Sequence, residues 1–326
     1  MKKIFLVGLA LAACGGQTTN PGDGGGPDVA PDTTTSAGST FAVRRVYLGE
    51  SDRTTGTPSA TAWESYGRNI DGLVTTAVST DVCTLAAGAV KADQIDGNNG
   101  IDNAWGSTLL PVFQTAASLQ TPSIEATASI DGGQTTLLVS VSGLTDDPAQ
   151  TATGLKAHVV AGGTYNGTPA FDATTSWPAL ANATAVDFDA SITNGVFTTA
   201  PGNAPLAVAI PIASIVIVVL IHDPVISFTH TDHASATNGT IAGVLDTNEF
   251  IAAFDAIAGE LSASLCGSAK TGIDDQFRQA SDILVDGTNQ SGTPCTGISI
   301  GIDFDATLVG APASTAPIAG PSNPCP

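Results

Sequence analysis

Eight short runs rich in Val, Ile, Thr and Phe recur along this chain, each bounded by clusters of Gly, Pro, Asn and Asp: "FAVRRVYLG", "IEATASI", "TTLLVSVSGL", "LKAHVVAG", "AVDFDASI", "GVFTTA", "VISFTHT" and "GISIGIDFDATLV". Runs of this length separated by turn residues read as strands, and in Leu138-Val139-Ser140-Val141-Ser142 the alternation places one face on a core and the other toward water. The pattern predicts a mainly β fold, an antiparallel β-sandwich of jelly-roll-like kind. The 18-residue uncharged run 204–221, "APLAVAIPIASIVIVVLI", is long enough to be weighed as a membrane span. Pro205 and Pro211 interrupt it and β-branched residues fill its second half, so two buried strands joined near Ala213-Ser214 are expected instead.

Two short C-terminal helices are expected to pack on the sandwich. Asp246 can cap "DTNEFIAAFDAIAGEL", in which Phe250, Phe254, Ile257 and Leu261 form one apolar stripe. In "TGIDDQFRQASDILVDG", Ile273, Phe277, Ala280 and Leu284 repeat the spacing, with Asp286-Gly287 as the stop.

The N-terminus reads differently. Lys2 and Lys3 precede an apolar run from Ile4 to Ala13, the layout of a secretory signal too short to remain as a spanning helix. Leu11-Ala12-Ala13-Cys14 resembles the lipobox of bacterial lipoproteins. That resemblance implies removal of residues 1–13, lipidation of Cys14 and anchorage to the membrane through the lipid, with Gly15 favouring the outer membrane or cell surface. Residues 14–40 hold almost only Gly, Pro, Thr, Ser and Asp beyond that cysteine and have too little to bury, so they are expected to be a disordered tether with a reach of roughly 25–30 Å. Residues 41–326 are left for a single ectodomain.

The formal charge of the chain is −20, and no Lys or Arg occurs between Lys156 and Lys270. Nucleic acid is therefore not an expected partner, since phosphate binding needs basic residues. Cys83, Cys266, Cys295 and Cys325 are an even set in an exported protein and are disulfide candidates. Four cysteines allow three pairings; proximity in sequence favours Cys266–Cys295, with Cys83–Cys325 closing the tail.

The stretches "WESYGRNIDG", "DGNNGIDNAWG", "FRQASDILVDGTNQSGTPC" and "ISIGIDF" resemble segments of uncharacterised secreted lipoproteins of myxobacterial type. The resemblance implies one exported domain from about Phe41 to the C-terminus and brings no established activity with it.

The stretch 94–106, "QIDGNNGIDNAWG", is the densest in oxygen ligands. Asp96, Asn98 and Asp102, with Asp93 or Asp71 completing the shell, have the alternating spacing of a Ca²⁺ loop. Gly100 and Ser107 stand where an EF-hand would place a third ligand and its Glu, and Asx residues also close turns without metal. A second candidate metal set is His222, His230, Asp232 and His233, which lacks any recognised zinc spacing. The near-repeats "VDFDA" and "IDFDA" put Asp187 with Asp189, and Asp303 with Asp305, about 6.6 Å apart on one strand face. Such pairs could serve glycoside hydrolysis or simply be solvent-facing alternation. Trp63, Trp105 and Trp177 could stack on sugar or lie in the core. No GxSxG elbow, P-loop or dinucleotide fingerprint occurs. The expectation is a binding or structural module for a glycan or protein ligand, stabilised by calcium, with no assigned catalytic residue; a metal- or carboxylate-dependent hydrolase of glycans or esters is the alternative.

Overall fold

A computed structural model describes residues 38–117, 119–212 and 215–318. The signal segment, nearly all of the expected tether with Cys14, and Cys325 lie outside those residues. The described residues belong to one unit in which every strand joins a single sheet. Strand outweighs helix, 36% against 23%, which places the chain in the mainly β class.

In chain order the elements are β1 (Ser39–Tyr47), α1 (Leu110–Ala117), α2 (Pro122–Asp131), β2 (Thr136–Ser142), β3 (Ala152–Gly162), β4 (Ala179–Leu180), β5 (Val186–Thr193), β6 (Val196–Thr199), β7 (Leu206–Ile212), β8 (Ile215–Asp232), β9 (Ser235–Asp246), α3 (Thr247–Asp255), α4 (Ala258–Leu261), α5 (Ser268–Gln279), β10 (Gly297–Val309) and β11 (Thr315–Ala316). The pairing path runs β3-β2-β1-β10-β9-β8-β6-β5, and β5 pairs with β3 again, so the sheet closes on itself. Neighbours on that path follow one another along the chain with β4 and β7 skipped, except that β1 pairs with β10, the first strand with the last long one; all eight pairs are antiparallel. The sandwich-like expectation holds as a sheet wrapped on itself; long segments separate β1 from β2 and β9 from β10, while tight turns join β5 to β6 and β8 to β9. One such turn is Asn194-Gly195, both at positive φ, between Thr193 and its partner Val196.

Opposite walls meet through aromatic rings: Phe41 of β1 lies 5.8 Å from Phe228 of β8, which stacks on Phe197 of β6 at 4.5 Å. The run 204–221 forms β7 and the start of β8, paired from Leu206↔Ile221 to Ile212↔Ile215. Among the described residues no helix is long and apolar enough to cross a membrane.

A second aromatic core lies among the helices. Phe113 of α1, Phe250 and Phe254 of α3 and Phe277 of α5 pack with Trp105, the Phe254–Phe277 centroids 4.8 Å apart. Asp246 caps α3 as expected, accepting from the Asn248 and Glu249 amides. The second helix differs from its expected span: α5 ends at Gln279, because Asp282 turns inward to accept from Ser299 N and Oγ while Ile283 bridges to Gly297. Leu284 therefore lies beyond the helix.

"IEATASI" is helix rather than strand. Pro122 occupies the first turn, the Glu50 carboxylate accepts from Ser123 N and Oγ, and Ser123, Ala126 and Ile130 bury one helical face while Ile124 is left 59% exposed. Strand β9 was not legible because Gly239 and Gly243 dilute its pattern. Gly239 is needed there: a Cβ would lie 2.4 Å from the Phe304 ring.

The expected disulfide pairing is also corrected. Cys83 bonds Cys295, 212 residues away. The segments meet edge to edge, Thr84 N donating to Thr293 O and Cys295 N to Thr84 O, whereas α5 intervenes between Cys266 and Cys295. Cys266 is itself disulfide-bonded.

Candidate functional site

Between β1 and α1 the chain makes a long excursion with few apolar residues, so polar contacts must hold it. The stretch 94–106 does this. Asn103 is only 2% exposed and works in four directions: its amide nitrogen donates to Trp63 O and Tyr66 O, and its oxygen accepts from Gly106 N and Gly301 N. Ser299 Oγ donates to Asp282 and accepts from Ala104 N, tying the same stretch to β10.

Of the expected calcium ligands, the fold brings three together and leaves two apart. Asp102, 3% exposed, accepts from Ile70 N at 2.6 Å, and Asp96 accepts from Thr75 N. Burial pushes Asp102 up to about 8, helped by the charges of Asp282, Asp71 and Asp96. Burial likewise pushes Asp96 up to about 6 and Asp282 up to about 7. Asp71 joins the group and accepts from Asn289. Asp93 instead receives Val90 N in its own helical turn, and Asn98 donates to Ser65 at the surface. No three His, Cys, Asp or Glu side chains among the described residues are grouped as a metal-holding set. The sequence did not single out Asp282 as a member of this cluster, since nothing local marks it.

The histidines diverge. His222 pairs with Glu249 at 2.8 Å and His233 with Asp146 at 2.7 Å, while His230 is 1% exposed against Phe41, its ring nitrogens facing Ser235 O and Thr145 O. Asp232 caps its own turn by accepting from Ala234 N and Ser235 Oγ. The aspartate pairs are similarly engaged. Asp303 and Asp305 share the Arg53 guanidinium at 3.0 and 2.6 Å, with Arg53 stacked 4.7 Å over Tyr47. Asp187 and Asp189 lie exposed and face His158 and Lys156 of β3.

The tryptophans separate by environment. Trp105 and Trp177 are fully buried, each with aromatic neighbours, whereas Trp63 is partly exposed and has no ring partner among the described residues. Trp63 lines an open cleft of about 430 Å³ with Gly49, Glu50, Ser59, Ser107 and Gln114 among its walls. That volume is within the range of small-ligand sites.

The cleft is built rigidly. Trp63 Nε1 donates to Ala60 O, fixing the ring. The Glu50 carboxylate has both oxygens oriented by Ser123, whose hydroxyl also accepts from Leu48 N. Gly106 and Ser107 lie in a π-helical turn, Trp105–Leu109, which leads into α1; such turns are rare and recur at functional sites. A Cβ on Gly106 would lie 2.6 Å from Trp63 Cβ and 2.9 Å from the Asn103 amide, so only glycine lets the turn close on the tryptophan. The end of the stretch 94–106, Asn103 and Gly106, thus backs the cleft at Trp63. The sequence marked Trp63 and, within the oxygen-rich stretch 94–106, Asn103, but offered no signal for Glu50 or Gln114, which come from separate segments.

No protein-family model matches this chain, and no match to it was found among curated proteins or solved structures.

Proposed function

We propose that this protein is an exported, lipid-anchored binding module that presents the Trp63 cleft to an extracellular ligand. The cleft carries the reading: it combines an unpartnered aromatic ring with oriented polar groups on a fixed frame, while the histidines and paired aspartates considered for catalysis are engaged in other contacts. The lipobox-like "LAAC" and the segment after it support anchorage at the outer membrane or cell surface. Metabolic labelling with a tagged lipid precursor tests the anchor: label on the wild type and none on Cys14→Ser is expected, and an unlabelled wild type overturns it. Screening the full chain for turnover of esters and glycans tests the module against a hydrolase; turnover abolished by His230→Ala or Asp303→Ala in a folded variant contradicts the binding role.

The buried aspartates support the cleft wall in this reading, with Asp102, held up at about 8, keeping its proton at neutral pH. Calcium is the other species able to balance them, through Asp71, Asp96 and Asp102. Thermal melts at pH 7 with chelator and with millimolar Ca²⁺ separate the two. Equal melting temperatures fit protons; a rise with Ca²⁺ that Asp96→Ala with Asp102→Ala removes assigns the ion.

A further inference from the structure

Building on the reading of the Trp63 cleft as a ligand site, we infer that its ligand is an uncharged pyranose unit of an extracellular glycan. A pyranose ring has one face rich in C–H groups and a rim of hydroxyls, and the cleft offers a complement to each. The indole of Trp63 supplies a flat apolar surface with a negative π-face, suited to polarised C–H groups. Its N–H is already taken by Ala60 O, so the ring contributes a stacking surface rather than a directional donor. Pro58, Ala60 and Pro111 extend that apolar surface.

The polar groups around it suit vicinal hydroxyls. Glu50 accepts two hydrogen bonds from Ser123, one on each oxygen, and each oxygen keeps further acceptor capacity. The Gln114 amide has no side-chain hydrogen bond among the described residues and offers both donors and an acceptor. Ser59 and Ser107 add hydroxyls. A planar carboxylate and a planar amide lining one cleft can bridge neighbouring hydroxyls in pairs. The orientation of Glu50 is set before binding by Ser123, which lowers the ordering cost of a small ligand.

Charge narrows the class. No Lys or Arg lines the cleft, Glu50 is acidic, and the whole chain carries −20. Uronic, sialic and sulfated sugars would bring a second anion against Glu50 without a cation to meet it. An extended peptide fits less well, because the cleft has no free strand edge among its lining residues and no deep apolar pocket for a side-chain anchor.

The test is a glycan array probed with the detergent-purified full chain, alongside a peptide array, using wild type, Trp63→Ala, Trp63→Phe and Gln114→Ala, each checked for native circular dichroism. Binding to neutral pyranose glycans is expected, weakened at least tenfold by Trp63→Ala, about threefold or more by Gln114→Ala and least by Trp63→Phe, with acidic glycans blank. Gln114 lies on the partly exposed face of α1, so its variant reports even if Trp63→Ala fails to fold. Trp63-dependent binding to acidic glycans or to peptides alone overturns the sugar assignment and leaves the binding module standing. Absence of any ligand that depends on Trp63 or Gln114 overturns both.

Discussion

Replacing Asp102 by Asn should flatten the pH dependence of stability. Asp102 is 3% exposed and its carboxyl is held up at about 8, from an ordinary value of 3.8, chiefly by burial and then by the charges of Asp282 and Asp71. Its folded form therefore keeps a proton that the unfolded chain releases between those two values. The sign follows directly: stability from this group is full below the ordinary value, falls as pH rises, and has been lost above about 8. One such proton corresponds to a slope of about 1.4 kcal/mol per pH unit, or about 2.7 kcal/mol between pH 5 and 7. Asp96 and Asp282 are shifted in the same direction, so the wild-type slope should exceed one proton over part of this range. Asn keeps the acceptor for Ile70 N and offers an amide where the acid carried its proton. Urea unfolding followed by tryptophan fluorescence at pH 5, 6, 7 and 8, with chelator present throughout, measures both profiles. Wild type should lose about 2–3 kcal/mol more than Asp102→Asn between pH 5 and 7. Parallel profiles, or a wild type that gains stability over this range, would refute the reasoning.

Other expectations use the same frame. Asn103→Ala leaves Trp63 O, Tyr66 O, Gly106 N and Gly301 N without their partner, and should cost about 3 kcal/mol in chemical unfolding. Arg53→Ala strips the shared cation from Asp303 and Asp305 and should cost about 2–4 kcal/mol, with Asp303→Asn in the same background recovering part of it. Replacing both Cys83 and Cys295 by Ser should lower stability by about 2–5 kcal/mol, whereas non-reducing peptide mapping of the wild type should recover the 83–295 pair rather than 266–295.

Where the chain reports its burial locally, the sequence was readable. The alternation in Leu138–Ser142 became β2, the split apolar run became β7 and β8, and the Phe250 and Phe254 stripe became α3. Legibility failed where distant partners decide. "IEATASI" has strand-like composition, but Glu50 seventy-three residues earlier provides the carboxylate that receives Ser123 at its N-terminus. Asp282 reads as part of a longer helix, but its carboxylate turns inward to accept from Ser299 N and Oγ, 17 residues later. The site divides in the same way. Trp63 and the Asp/Asn loop stood out by residue type, and Asp71, Asp96 and Asp102 do converge. Asn98 and Asp93 satisfy local backbone or surface partners instead, a choice that spacing alone does not encode. Glu50 and Gln114 reach the cleft through tertiary packing, so no local pattern announced them.

The accessibility of one indole, that of Trp63, tests the cleft as the ligand site most directly. Trp105 and Trp177 are fully buried and Trp63 alone of the three tryptophans lines the cleft, so acrylamide quenching of the native protein reports chiefly on Trp63. The quenchable fraction should be present in wild type, absent in Trp63→Phe, and shielded on saturation with a neutral oligosaccharide that scores on the array. Quenching left unchanged by every such oligosaccharide, or a quenchable signal that persists in Trp63→Phe, would contradict the cleft as the ligand site.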